Sequence, residues 1–155
     1  MKRRLDRIGF ALLFALLAPV ATAAPAASDA WIALGPPGSA PLAGYLTLEN
    51  SGPAPAALIG VDAAGFQRVE IHSTVKDGST MRMRRLPRLD LPAGGRVVLG
   101  PGRLHLMLFG PPKPLAAGQR IALELSFDDG TTLAVDAEVR DPRALPEPHH
   151  HTGKP

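Results

Sequence analysis

At 155 residues, 45% of them apolar, the chain has the length of one domain and enough hydrophobic residues for a core, although aromatics make up only 5%. It contains no cysteine, which excludes disulfide staples, thiol-linked lipid and thiolate chemistry and leaves stability to packing. The formal net charge of +3 sits at the start: four of the 17 Lys and Arg and one of the 14 Asp and Glu lie in residues 1–23, leaving 13 of each beyond, so charge gives no case for nucleic-acid binding.

The first segment combines Lys2, Arg3, Arg4 and Arg7 with an apolar run from Ile8 to Val20 and the small-residue signal Ala21-Thr22-Ala23. This is the layout of a secretory signal peptide over 1–23, and the run is shorter than the roughly 20 residues a membrane span needs. The expectation is an exported, periplasmic protein with no membrane anchor after cleavage. Beyond it, short runs punctuated by Gly and Pro predict strands over 31–34, 44–49, 56–61, 67–73, 80–86, 96–99, 104–109, 119–127 and 131–139. Turn chemistry separates them, notably Asn50-Ser51-Gly52-Pro53, Asp77-Gly78, Gly100-Pro101-Gly102 and Asp128-Asp129-Gly130. Short, evenly spaced strands without a long helical period predict an all-β domain over 28–141, a sandwich or small barrel, with Trp31 and Tyr45 in its core. Residues 142–155 read as a disordered, proline-rich tail.

The soft ligands of the domain are gathered in one stretch. Apart from the initiator, the methionines are Met81, Met83 and Met107, and apart from the tail the histidines are His72 and His105. Four of these form H-x10-M-x21-H-x-M: His72, Met83, His105 and Met107. Thioether sulfur selects Cu(I), imidazole accepts copper readily, and calcium or magnesium would want oxygen instead. The pattern therefore predicts a Cu(I) site. An electron-transfer blue-copper centre would need the thiolate that this chain lacks. Met81 reads as a core filler or a spare thioether, and His149, His150 and His151 as an auxiliary Cu(II) site that needs no folded scaffold.

Strand geometry gives these residues an expected arrangement. A two-residue turn at Asp77-Gly78 would set His72 directly opposite Met83, Thr74 opposite Met81 and Glu70 opposite Arg85. In 104–109 the leucines would take the core face and His105 and Met107 the other. The same register puts Arg82 and Arg84 on the face of Val69 and Ile71, so either the turn is longer or the hairpin overhangs the core. Arg82, Arg84, Arg85 and Arg88 read as a solvated patch. No nucleophile motif surrounds either histidine, and no enzyme is expected.

The pattern, set in Val69-Glu70-Ile71-His72, Met81-Arg82-Met83-Arg84, Leu91-Pro92-Ala93-Gly94-Gly95 and Leu104-His105-Leu106-Met107-Leu108, resembles the PCuAC family of periplasmic copper chaperones. The resemblance extends to Ala30-Trp31-Ile32, Gly44 to Asn50, Lys113-Pro114-Leu115 and Gly118, nearly the whole domain. It implies a cupredoxin-like Greek-key β-sandwich or barrel that binds Cu(I) through His72, Met83, His105 and Met107. It also implies a monomer that passes copper to cytochrome c oxidase subunit II, towards the copper A centre, or to another copper chaperone. Members often carry an acidic residue after the first histidine, where this chain has Ser73. The rival expectations are a copper storage or tolerance protein, and a secreted β-sandwich interaction module without metal.

Overall fold

The computed structural model describes residues 24–36, 38–111 and 113–144. The expected signal peptide, and the tail from residue 145 with its histidines, lie outside the described residues. Ten strands follow in chain order: β1 (Ala26–Ala33), β2 (Leu42–Glu49), β3 (Ala56–Ala63), β4 (Arg68–Asp77), β5 (Thr80–Leu86), β6 (Leu89–Leu91), β7 (Arg96–Leu99), β8 (Leu104–Phe109), β9 (Arg120–Phe127) and β10 (Thr132–Arg140). A single 3₁₀ turn, Pro142–Ala144, follows β10 and carries the described chain slightly past the expected end of the domain.

β5, β7 and β8 have the expected bounds. β6 was not expected, because its three residues, Leu-Asp-Leu, are too few to show an alternation and are hemmed in by Pro87 and Pro92. β1 begins earlier than expected. Its first half, Ala-Ala-Ser-Asp, has little β propensity, and the register against β2 shifts between Ser28 and Trp31, where Asp29 takes a left-handed φ of 51°. Such a bulge accommodates an Asp, whose short side chain tolerates that region.

The sheet runs β5-β4-β8-β2-β1-β10-β9-β3-β6, with β7 also on β2. Among the described residues only the β1–β10 pair is parallel. β8 crosses over to lie between β4 and β2, and β2 is shared lengthwise, Leu42 to Gly44 with β8 and Leu46 to Glu49 with β7. These crossovers make the all-β, Greek-key architecture expected from the sequence. Side chains from both ends of the path, Ile71 of β4 and Leu58 and Leu91 of β3 and β6, join one hydrophobic cluster, so the sheet folds over on itself around a single core. β9 shows how the sequence specifies it: Ile121, Leu123, Leu125 and Phe127 are buried while Arg120, Ala122 and Glu124 are exposed. Trp31 and Tyr45 fall outside that cluster. They pair across β1 and β2 as half-buried, tilted rings with centroids 4.5 Å apart, a correction to their assignment as core.

On β4 and β8 the inward positions are Ile71, Leu106 and Leu108, all buried. They hold the two strands in one register and turn the intervening residues to the opposite face. Leu106→Ala should lower the unfolding free energy of the metal-free protein by about 2–5 kcal/mol, as for other buried Leu truncations, read from urea denaturation. A loss below about 1 kcal/mol would show that Leu106 does not anchor this region.

Candidate metal centre

β4 lies between β5 and β8, and the alternation of side chains assigns each candidate to a face. Against β8 the register pairs His72 with His105, Glu70 with Met107 and Arg68 with Phe109. Against β5 it pairs Thr74 with Met83, His72 with Arg85 and Lys76 with Met81. His72, Met83, His105 and Met107 therefore share the face turned away from Ile71 and Leu106. The imidazoles are nearest: their ring centroids are 5.9 Å apart with a 43° tilt. Met107 follows His105 on the same strand face, and Met83 stands one diagonal step from His72.

This differs from the expected pairing. The turn of the β4–β5 hairpin is Gly78-Ser79, with Asp77 still extended and paired to Thr80. Gly78 has φ +61°, and only glycine takes that value freely at the first central position of a Gly-X hairpin turn. The register is thereby shifted by two residues, so His72 faces Arg85 and Met83 faces Thr74. A shift of two preserves every face, which is why the four candidates still lie together although their partners change. Arg82 and Arg84 do share the face of Ile71, and the strand that carries them is exposed along nearly its whole length. β4 pairs β8 only from Arg68 to Ser73, so the hairpin tip overhangs the core.

Burial grades across the site. His105 is buried at 8% exposure, His72 and Met107 are half-buried, and Met83 is 59% exposed. Met81 is 57% exposed on the same outer edge, which corrects its reading as a core filler.

Hydrogen bonds fix both rings. His72 Nε2 lies 2.9 Å from Glu70 Oε2, and His105 Nδ1 lies 3.2 Å from the carbonyl of Arg103. Glu70 also accepts from Arg68 Nε at 3.2 Å and has Arg85 Nε at 4.0 Å. Arg68 in turn stacks its guanidinium 3.8 Å from the centre of the Phe109 ring. The His72 hydrogen bond, with the bond from Arg68 and the Arg85 charge, holds the Glu70 carboxyl below the usual carboxylate range against a smaller opposing effect of desolvation. The sequence suggested the Glu70–Arg85 contact but not the bond to His72. The Arg103 carbonyl, being backbone, leaves no sequence signal.

The site fits a soft cation better than a hard one. Among the described residues no three His, Cys, Asp or Glu side chains converge as a metal cage. His72 Nδ1 is buried without a hydrogen-bond partner among the described residues. An unsatisfied buried acceptor costs about 1–3 kcal/mol, and a bound cation would offset that cost.

Comparison with known proteins points the same way. The family model described as "Putative lipoprotein LpqE-like" matches residues 26–139. The protein named "Putative lipoprotein Lxx21020", from Leifsonia xyli subsp. xyli, is 34% identical over 115 residues, 74% of this chain and 68% of that protein. Among solved structures, the copper-bound PCuAC domain from PmoF2 matches with a TM-score of 0.66 at 26% identity, over 79% of this chain and 97% of that domain. The Cu(I) form of DR1885 from Deinococcus radiodurans matches with a TM-score of 0.61 at 29% identity, over 79% of this chain and 80% of its own.

The ion pairs of Glu70 carry a pH signature. A carboxyl whose folded pKa is depressed contributes stability that is fully present above its unfolded pKa, about 4.3, and is lost as pH falls through the folded value. In urea denaturation of the metal-free protein, wild type should therefore exceed Glu70→Gln at neutral pH by a margin that shrinks towards about pH 3. A margin that grew as pH fell from about 5 to about 3 would contradict the network.

Proposed function

This chain belongs to the LpqE-like family, the family of the PCuAC domains, and from that premise we propose that it is an exported copper-binding chaperone that carries Cu(I) on His72, Met83, His105 and Met107. The observation that supports this most directly is the facing pair His72 and His105, with one buried nitrogen unpartnered among the described residues and two thioethers on the same sheet face. The copper-bound and Cu(I) forms of its structural neighbours support the choice of metal.

The ligand set suits a carrier. Imidazole and thioether are neutral and exchange readily, so copper held by them can pass to an acceptor through shared ligation without breaking a thiolate bond. Burial orders the exchange: His105 is the most enclosed ligand and Met83, on the outer strand, the most open. Met83 is the ligand an acceptor would displace first. The acceptor is the copper A centre of cytochrome c oxidase subunit II, reached directly or through another copper chaperone. Arg82, Arg84 and Arg85 on the same strand would steer an acidic acceptor to that edge.

Export follows from the signal-peptide layout of residues 1–23 and is supported by the lipoprotein names of the relatives. The periplasm is the compartment proposed. These 155 residues have no Cys to carry a lipid. His149, His150 and His151 are assigned an auxiliary Cu(II)-capture role, and copper passes from them to the Cu(I) site only after an external one-electron reductant has reduced it.

Titration with Cu(I) under reducing conditions, against a chromogenic chelator, should give one ion per chain. A Met83→Ala, Met107→Ala double variant should lose that ion while its circular dichroism stays that of wild type. Full retention of copper would remove the thioethers from the site. Removal of residues 145–155 should abolish the additional Cu(II) uptake and leave Cu(I) stoichiometry unchanged, and Cu(II) uptake equal to that of the full chain would refute the tail's role.

A further inference from the structure

We propose that Glu70 is the positioning residue that decides which nitrogen of His72 faces the metal, so that the two imidazoles bind copper through opposite ring atoms, Nδ1 of His72 and Nε2 of His105. The inference rests on the copper reading above and deepens it.

The argument follows from donor and acceptor chemistry. An ionised carboxylate only accepts hydrogen bonds, so with Glu70 Oε2 at 2.9 Å the proton of neutral His72 must sit on Nε2. The lone pair is then on Nδ1, the atom that is buried and unpartnered among the described residues. For His105 the situation is reversed. A backbone carbonyl also only accepts, so Nδ1, 3.2 Å from the Arg103 carbonyl, carries the proton and Nε2 keeps the lone pair. The two rings face each other across β4 and β8 in opposite tautomers.

Glu70 is itself held in place. Arg68 donates to it at 3.2 Å, Arg85 stands at 4.0 Å, and Phe109 supports Arg68 from below its guanidinium plane. In the register Glu70 lies opposite Met107 and two positions before His72. A carboxylate on the far nitrogen of a metal-binding histidine fixes the ring and raises its basicity, and losing such a partner commonly weakens metal binding 10–100-fold. Gln would keep an acceptor for Nε2–H without the charge, and Leu would remove both.

Full-chain protein labelled with ¹⁵N-histidine tests this, because Cu(I) is diamagnetic and each ring nitrogen can be followed by NMR. In the metal-free protein the His72 Nε2–H proton should exchange slowly with water in wild type and Glu70→Gln, and fast in Glu70→Leu. On addition of Cu(I) to wild type, His72 Nδ1 and His105 Nε2 should shift while the opposite N–H signals persist. In Glu70→Leu the copper-shifted nitrogen of His72 should become Nε2 or divide between the two, with affinity about tenfold or more below wild type. Glu70→Gln should retain Nδ1 binding with a smaller loss. A copper shift on His72 Nε2 in wild type, or unchanged Nδ1 binding and affinity in Glu70→Leu, would overturn the proposal. Failure of wild type to bind Cu(I) would instead overturn the copper reading, and the exchange measurements on metal-free protein would still decide for or against Glu70.

Discussion

The pairing of β4 with β8 is the constraint on which the site depends. Two neutral imidazoles have little reason of their own to face each other; His72 and His105 do so because Ile71, Leu106 and Leu108 are buried on the reverse of the same strands. Slipping β8 by one residue would expose those leucines and turn His105 inward, forfeiting about 1.5–3 kcal/mol for each large side chain withdrawn from the core. Hydrophobic burial thus sets the geometry of the candidate face. The candidate residues are pre-arranged by side chains on the opposite face of the same strands.

Much of this was legible in the sequence, and what was not has a physical cause. Alternation gave β5, β7 and β8 their bounds and put His105 and Met107 on one face, since period 2 is a local property. The residue types suggested a metal class for the same reason: softness belongs to the residue and not to the fold. The partner of His72 was not legible. Its neighbour across the sheet comes from β8, separated from β4 by the whole β5–β6–β7 excursion, and nothing local in either strand specifies a nonlocal register. Within the hairpin the error was smaller. Asp77-Gly78 and Gly78-Ser79 are both credible turns, and the choice between them moves partners without moving faces.

Charge at the candidate site is arranged around imidazole and thioether side chains. Glu70 is flanked by Arg68 and Arg85, and Arg85 and Lys76 face His72 and Met81 across the hairpin, so the surroundings of the candidate residues carry excess positive charge. That disfavours accumulation of a second cation. It also makes Glu70, bonded directly to a ring of the pair, the nearest compensating charge for a monovalent ion.

The overhang of the β4–β5 hairpin gives the molecule an unequal mechanical response. β5 is hydrogen-bonded along one edge only, to β4, and its side chains are almost all in solvent, whereas β8 is clamped between β4 and β2 above the core. Opening β5 breaks a few solvent-accessible ladder bonds and exposes little apolar surface, a sub-global fluctuation that leaves the rest of the sheet intact. Opening β8 would require most of the fold to come apart. Met83 thus travels on a compliant arm and His105 on a rigid frame, so that thermal motion alone would vary the distance between Met83 and the other three candidate residues without loosening the imidazole pair.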